Sequence, residues 1–308
     1  MIKTLNDNKL FSIGLPVVKD VFLTEAIKSC LKQTYTNFEI VLVNNAKTAD
    51  FKDKIRDIYN SFNDDRIKYH ENEVQLAMID NWNLTLKLSS GDLFSILCDD
   101  DLWESNYIEE MVKLSQQNLN CNLFHCRVKI IYEGSDRAIL SSLCSEFENS
   151  FDFIYHRIMG YRKMYLSDFT VRVNALNKIG GFFAMPDGWG SDDLTWFKLS
   201  LEGGVAYTSK ILFIYRNHKN NISNTVNIKN KWNSIPKYAD FIKKYIVGKD
   251  LNKKDEILQK LILDELPNYK KRGFASLYHK KIMSYKYLPS SLKKIISKIS
   301  RLIIFTIK

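Results

Sequence analysis

Three consecutive carboxylates, Asp99-Asp100-Asp101, close an apolar run of strand length, Leu93-Phe94-Ser95-Ile96-Leu97-Cys98. A buried strand of this kind delivers concentrated negative charge to its own C-terminal end, which in an open α/β sheet is where ligands bind. Carboxylates at i and i+2 leaving a strand project to the same side. Asp99 and Asp101 are therefore the natural pair for a hard oxygen site that takes Mg²⁺ or Mn²⁺ and, through it, the oxygens of a diphosphate. The alternative is that these residues only begin the next helix, because Asp caps orphan N–H groups and suits a helix N-terminus. One Asp serves a cap, whereas three in a row repel one another unless a cation or hydrogen-bond donors compensate.

The elements that must position this stretch alternate along the chain. Leu10–Leu15 reads as a first strand stopped by Pro16, Thr24–Gln33 carries Ala26, Ile27, Cys30 and Leu31 at helical spacing, and Phe38–Val43 is a second, apolar strand ending in Asn44-Asn45. A helix over about Asp50–Asn60, a short strand at Ile67–His70 and a helix over about Gln75–Leu88 lead to the aspartates. This succession predicts an α/β fold with a mostly parallel central sheet and helices on both faces. No GxGxxG and no P-loop accompanies it.

Further on, Ser105–Gln117 reads as a helix and Leu123–Tyr132 as a strand. His125 and Arg127 share one polar face of that strand and either line a ligand pocket or simply meet solvent. From Glu133 to Met164 the pattern is poor, and the aromatics Phe151, Phe153, Tyr155 and Tyr161 either stack on a ligand or fill core. Asp168–Arg172 is a strand before a small helix, Ala175–Ile179, closed by Gly180-Gly181 as a C-cap with positive φ. Val205–Tyr207 and Ile211–Tyr215 are expected as two short strands.

The chain has 308 residues and enough apolar and aromatic content for a real core. No apolar h-region follows the polar start, and no stretch reaches the roughly 18 consecutive apolar residues of a membrane span. Cys30, Cys98, Cys121, Cys126 and Cys144 are odd in number and lack CxxC spacing. Reduced thiols in a cytoplasmic protein are therefore expected, rather than a disulfide framework or a zinc site. The formal charge is +10, unevenly spread: residues 228–308 hold 20 Lys and Arg against 6 Asp and Glu, net +14, and the remainder holds 25 against 29, net −4. Attraction to an anionic surface belongs to the tail.

A family resemblance rests on these residues. Phe11-Ser12-Ile13-Gly14-Leu15-Pro16, then Glu25 to Val43 with Gln33-Thr34-Tyr35 leading into Asn37-Phe38-Glu39, resembles the opening of family 2 glycosyltransferases, inverting enzymes with a GT-A fold. Asn81-Trp82-Asn83 and Ser90-Gly91-Asp92 precede the acidic strand as in that family, Asp99-Asp100-Asp101 falls on its DxD motif, and Gly180-Gly181-Phe182 also matches. The likeness covers about residues 9–225. Two departures stand out: Pro16-Val17-Val18-Lys19 where the family often has Pro-Thr-Tyr-Asn, and Asn44-Asn45 where it often has Asp-Asp. Both lie at the nucleobase-binding edge, where Asn can donate as well as accept, although either Asn can also be a turn former.

The resemblance implies a nucleotide-sugar donor, UDP-linked in preference, held by Pro16, Asn44, Asn45, Asn83, Asp99, Asp100 and Arg216. It implies Mn²⁺ or Mg²⁺ on Asp99, Asp101 and His218, the last from Tyr215-Arg216-Asn217-His218, which resembles a Tyr-Arg-x-His element of the family. Pro186–Phe197 occupies the place of the family's Glu-Asp motif, at the start of a helix running to about Glu202, with Ser191 where the family has Glu. Asp192 is then the general base; Asp193 is the alternative, with Asp192 capping the helix. Trp189 is placed to pack against the acceptor, a glycan or a lipid-linked one.

The resemblance implies a catalytic domain over 1–226; beyond it helical patterns predict a basic region over 227–308 with helices at Trp232–Ile246, Asp255–Tyr269 and Leu288–Lys308. In the last, Leu292, Ile295, Ile296, Ile299, Leu302 and Ile303 share one face, with Lys293, Lys294, Lys298 and Arg301 off it. That face meets either the anionic inner surface of the cell membrane or protein, its own domain or a second copy in a homodimer. Two other readings were weighed. A non-catalytic membrane- or nucleic-acid-binding protein acting through its tail leaves both carboxylate groups unexplained, and the acidic front of the chain speaks against nucleic acid. A sugar nucleotidyltransferase calls for a Gly-rich basic loop where Leu15-Pro16-Val17-Val18 stands.

Overall fold

Strand and helix alternate from the first residue described. The computed structural model describes residues 9–219, 221, 228–248, 251–283, 289, 291–292 and 294–299. β1 (Phe11–Val17), α1 (Leu23–Leu31), β2 (Phe38–Asn44), α2 (Ala49–Asn60), β3 (Ile67–Glu71), α3 (Met78–Lys87) and β4 (Leu93–Ile96) form the front half. β5 (Leu102–Trp103), α4 (Tyr107–Gln117), β6 (Leu123–Tyr132), β7 (Ser135–Leu140), β8 (Phe147–Glu148), α5 (Ser150–Ile158), β9 (Phe169–Arg172) and α6 (Val173–Lys178) follow. A 3₁₀ turn at Pro186–Gly188 leads to α7 (Ser191–Ser200), β10 (Val205–Asn217), α8 (Ile228–Ile246) and α9 (Lys253–Met283).

The strands make one sheet in the order β3-β2-β1-β4-β9-β6-β10-β5, with β7 on β6 and β8 on β10. The long ladders, β1 with β2 and β6 with β10, are parallel, and β9 enters antiparallel between β4 and β6. Successive strand residues face opposite cores, as the two-residue period requires. Leu93 and Phe124 join Phe11, Ile13, Ile27, Tyr107 and Met111 on one side. Phe94 and Leu123 join Trp82, Phe153, Phe169, Trp196 and Tyr238 on the other.

Pro16 does not stop β1, which pairs through it to Val17. Leu97 N–H donates to the Gly14 carbonyl and Asn45 N–H to the Val17 carbonyl, so even positions face β4, whose ladder ends at Gly14. The missing N–H of Pro16 therefore falls where no acceptor waits. The two strands expected near residue 210 are one, because exposed Ser209 and Lys210 sit in a register irregularity of β10 rather than a break.

Several residues that carry the resemblance hold the frame. Gln33 Nε2 donates to the Glu104 carbonyl (2.8 Å) and its Oε1 accepts from Ile108 N–H (3.0 Å), tying α1 to the start of α4. Buried Glu39 accepts from Ser12 Oγ (2.6 Å) and Ser90 N–H, and Ser12 Oγ accepts from Gly91 N–H (2.8 Å). A Cβ at Gly91 would lie 2.6 Å from Ser12 Oγ and 2.7 Å from the Leu10 carbonyl oxygen, so only glycine fits there.

The expected boundary at 226/227 lies outside the described residues. Beyond it, Tyr238, Ile242, Ile246, Ile262 and Leu266 are buried in the same core as α5 and α7. α9 passes through Pro267, its buried face compensating the lost helix hydrogen bond. Residues 291–292 and 294–299 are helical, with Leu292, Ile295 and Ile299 exposed, while Arg301, Leu302 and Ile303 of the expected terminal helix lie outside the described residues. Among the described residues no helix is long and apolar enough to cross a membrane.

Candidate active site

β1 and β4 are parallel neighbours from which the sheet is wound in opposite directions, so their C-terminal ends open a crevice at a topological switch point. The acidic loop sits there. Val18 and Lys19 N–H, at the end of β1, each donate to Asp99 Oδ2 at 2.9 Å. Arg216 N–H donates to Asp101 Oδ1 (2.9 Å), His218 Nε2 lies 2.9 Å from Asp100 Oδ2, and Asn221 Nδ2 donates to the same oxygen (3.3 Å). Burial, then the charge of Asp100, pushes the Asp99 pKa up to about 6 and holds Asp101 well above the usual carboxylate range. Such strain is what a bound cation relieves.

The residues fit a divalent cation. Ligand atoms of Asp100, Asp101 and Cys98 lie within 4.8 Å of one another. Mg²⁺ and Mn²⁺ take hard oxygen donors rather than soft sulfur, which leaves the two carboxylates, and not Cys98, as the ligands suited to them.

The opposite wall is the loop before α7. Asp187 (φ 50°), Gly188 (φ 67°) and Gly190 (φ 76°) turn the chain through left-handed conformations, and a Cβ on Gly190 would approach the Tyr238 ring to 2.8 Å. Buried Ser191, where the resemblance expects Glu, closes the loop by accepting from Met185 N–H (3.1 Å). Asp193 turns inward to Arg157, at 2.7 Å from Nη2 and 2.9 Å from Nε, and to Tyr238 Oη (3.0 Å). Asp192 lines the cleft, with backbone N–H groups at the start of α7 facing its carboxylate. Burial, then the charge of Asp193, raises its pKa to about 7.

Both acidic groups open into one cleft of about 940 Å³. Pro16, Asn45, Asp99, Asp100, Asp101, Trp189, Asp192 and Asp193 all line it. Asn45 is also a brace: its Oδ1 accepts from Leu76 N–H and Asn72 Nδ2 (both 2.8 Å), and its Nδ2 donates to the Leu76 carbonyl (3.1 Å).

Four expected site residues are not brought into the lining. Asn44 is fully buried and spent on the Lys52 carbonyl, Tyr69 and the Ala46 N–H. Asn83 holds the glycine turn, accepting from Phe182 N–H (2.8 Å) and donating to the Phe182 carbonyl. Arg216 lies over the Phe22 ring and binds Glu25 and the Asp100 carbonyl, and His218 reaches Asp100 rather than the Asp99–Asp101 pair expected of it. Asp99 is drawn to the β1 amides, so the clustered carboxylates are Asp100 and Asp101. His125 is buried against Phe169 and Tyr207, away from the cleft and from solvent. Of the aromatics, Phe151 and Phe153 are core and Tyr161 is exposed.

Sequence reasoning missed Arg157, Tyr238, Asn221 and Ser167, whose Oγ accepts from Cys98 N–H (3.1 Å). Arg157 lies in the stretch without a clear pattern and Tyr238 in the tail, so no local spacing connects either to Asp193.

A sheet of this order, with an acidic loop at the switch point and a carboxylate-bearing helix N-terminus across the cleft, defines the GT-A class of transferase. The model of the family "Glycosyl transferase family 2" matches residues 12–184, and the chain belongs to that family. An uncharacterized glycosyltransferase of Haemophilus influenzae is 25% identical over 211 residues, 67% of this chain and 64% of that protein. The Escherichia coli UDP-Glc:alpha-D-GlcNAc-diphosphoundecaprenol beta-1,3-glucosyltransferase WfgD is 31% identical over 130 residues, 42% of this chain and 49% of that protein. These alignments span about half to two thirds of the relatives' length. Among solved structures, S. aureus TarS 1-349 in complex with UDP-GlcNAc shares the fold at TM-score 0.66 and 15% identity, over 96% of this chain and 88% of that one. A Pyrobaculum calidifontis mannosyltransferase in complex with GDP-Man and Mn²⁺ does so at TM-score 0.60 and 14% identity, over 96% and 81%.

Proposed function

We propose that this glycosyltransferase moves a sugar from a nucleoside-diphosphate donor to an acceptor hydroxyl with inversion, Asp192 being the general base. The observation that carries the reading is the division of labour across one cleft: Asp99–Asp101 gather at one end, and Asp192 faces the same space while Asp193 is neutralised behind it. The donor's base lies along Pro16 and Asn45, and its diphosphate lies against the acidic loop, with Asp100 and Asp101 holding Mn²⁺ or Mg²⁺. When bound, that ion stabilises the charge that develops on the departing diphosphate.

Trp189 presents an aromatic face to the acceptor. Asp192 takes the proton of the attacking hydroxyl as the new C–O bond forms at the anomeric carbon and the bond to the diphosphate oxygen breaks on the opposite face. Uridine is the favoured base, since WfgD is named for UDP-Glc and TarS was solved with UDP-GlcNAc. A glycan or lipid-linked acceptor in bacterial surface polysaccharide synthesis, met at the inner face of the membrane, fits WfgD and a putative colanic acid glycosyl transferase.

The test is Asp192→Asn assayed for sugar transfer and for donor binding. Transfer is expected to fall by about 10²-fold or more, with donor affinity unchanged. Retained transfer would assign the base elsewhere.

A further inference from the structure

A second polar cluster is buried where β6, β8 and β10 meet the region of α5, on residues the cleft does not use. His125, Glu148, Arg162 and Tyr207 are each more than nine-tenths buried. His125 Nε2, Glu148 Oε2, Arg162 Nε and Nη1, and Tyr207 Oη are five of the six buried side-chain polar atoms without a hydrogen-bond partner among the described residues. Orphaned atoms at such density call for an occupant. Ligand atoms of His125, Cys144 and Glu148 lie within 4.8 Å of one another.

We propose that His125 Nε2, Cys144 Sγ and Glu148 Oε2 form a transition-metal site of the zinc class, with water as the fourth ligand. Imidazole, thiolate and carboxylate are the donors that zinc takes, and a tetrahedral ion sets its ligands about 3.5 Å apart, within a small side-chain adjustment of the present spacing. His125 is ready to ligate: burial, then the charge of Arg162, lowers its pKa to about 3 and keeps the imidazole neutral. Its Nδ1 lies 4.0 Å from Asp168 Oδ2, beyond hydrogen-bond distance, and a small ring movement would bring it to the carboxyl group that could orient it.

The Arg162 guanidinium, which binds Glu148 and lies 3.1 Å from His156 Nδ1, opposes a bare cation. Burial pushes the Cys144 thiol up to about 11, so the ion must displace its proton to solvent on binding; the thiolate and the Glu148 carboxylate then balance the ion. The thiolate also offers an acceptor to the unpartnered Arg162 N–H groups. Cys144 is only half-buried, which gives the ion an entry. The site would pin residues 141–148 to the sheet just ahead of α5, which carries Arg157. The rival occupant is a water cluster, since water satisfies donors and acceptors alike.

The test uses the full chain titrated with Zn²⁺ and with Co²⁺, followed by metal analysis, by the thiolate-to-cobalt charge-transfer band and by mass-spectrometric mapping of Cys144 alkylation. The expected result is one zinc per chain and a charge-transfer band in Asp100→Asn/Asp101→Asn, which removes the cation site of the cleft, with the same band in the wild type and in Cys98→Ser. Cys144→Ser should lose the band and weaken binding by about tenfold or more. In the wild type, zinc should protect Cys144 from alkylation, a readout that stands whether or not Cys144→Ser folds. No retained zinc, equal affinity in Cys144→Ser, loss of binding with the cleft aspartates, or unprotected Cys144 would overturn the site in favour of water.

Discussion

Asp192 and Asp193 are neighbours in sequence and opposite in surroundings. Arg157 and Tyr238 hold the Asp193 carboxylate, and burial, then the Asp193 charge, raise the proton affinity of Asp192 against the opposing pull of Arg157. With Asp192 as the proposed base, a pKa of about 7 means that it loses its proton through neutrality, so transfer should climb with pH across that range and level off above it, as a pH–rate profile will show. Stability runs the other way. Because the pKa is raised on folding, the contribution of Asp192 is complete below its unfolded value near 4 and is lost as pH rises through about 7. Asp192→Asn should therefore be inactive yet melt higher than the wild type at pH 8, with the difference shrinking toward pH 4. Arg157→Met strands a buried Asp193 and should cost about 3 kcal/mol by urea denaturation, much of it recovered in Arg157→Met/Asp193→Asn.

At the scale of elements, the site depends on loops whose backbone only glycine adopts easily. Gly190 and Gly180 both have positive φ, but a Cβ at Gly190 meets Tyr238 at 2.8 Å, whereas at Gly180 nothing lies within 4 Å. Gly180→Ala should cost about 1 kcal/mol of backbone strain, and Gly190→Ala clearly more, with a fall in transfer as the α7 start is displaced. Urea midpoints and turnover of the pair separate the two effects. The acidic loop, the glycine turn and the alternation of strands and helices were legible in the sequence because each is written in contiguous residues. Asn44 and Asn83 were misplaced because one residue of a strand end or helix decides which way an amide points, and local spacing does not report the carbonyl it will find. Arg157 and Tyr238 were invisible for a related reason: their partner Asp193 lies 36 and 45 positions away, across the core.

At the scale of the whole molecule, the sheet carries two cores, and the helices after the catalytic motifs complete one of them. Tyr238, Ile242, Ile246 and Ile262 are essentially inaccessible, so the basic region is no free appendage in its described part. A chain ending at residue 227 would uncover Phe183, Trp189, Phe197 and the Asp193 ion pair, and is expected to aggregate, which size-exclusion chromatography would show. On the proposed function, the acidic loop at the β1/β4 switch point binds a nucleoside diphosphate through a divalent cation. The most direct measurement is calorimetric titration of nucleoside diphosphates, UDP first, in Mn²⁺ and in chelator, on the wild type, Asp101→Asn and Asp192→Asn. The account predicts metal-dependent binding that Asp101→Asn weakens by at least about tenfold and Asp192→Asn leaves intact. Binding equally strong in chelator, or indifferent to Asp101, would contradict it.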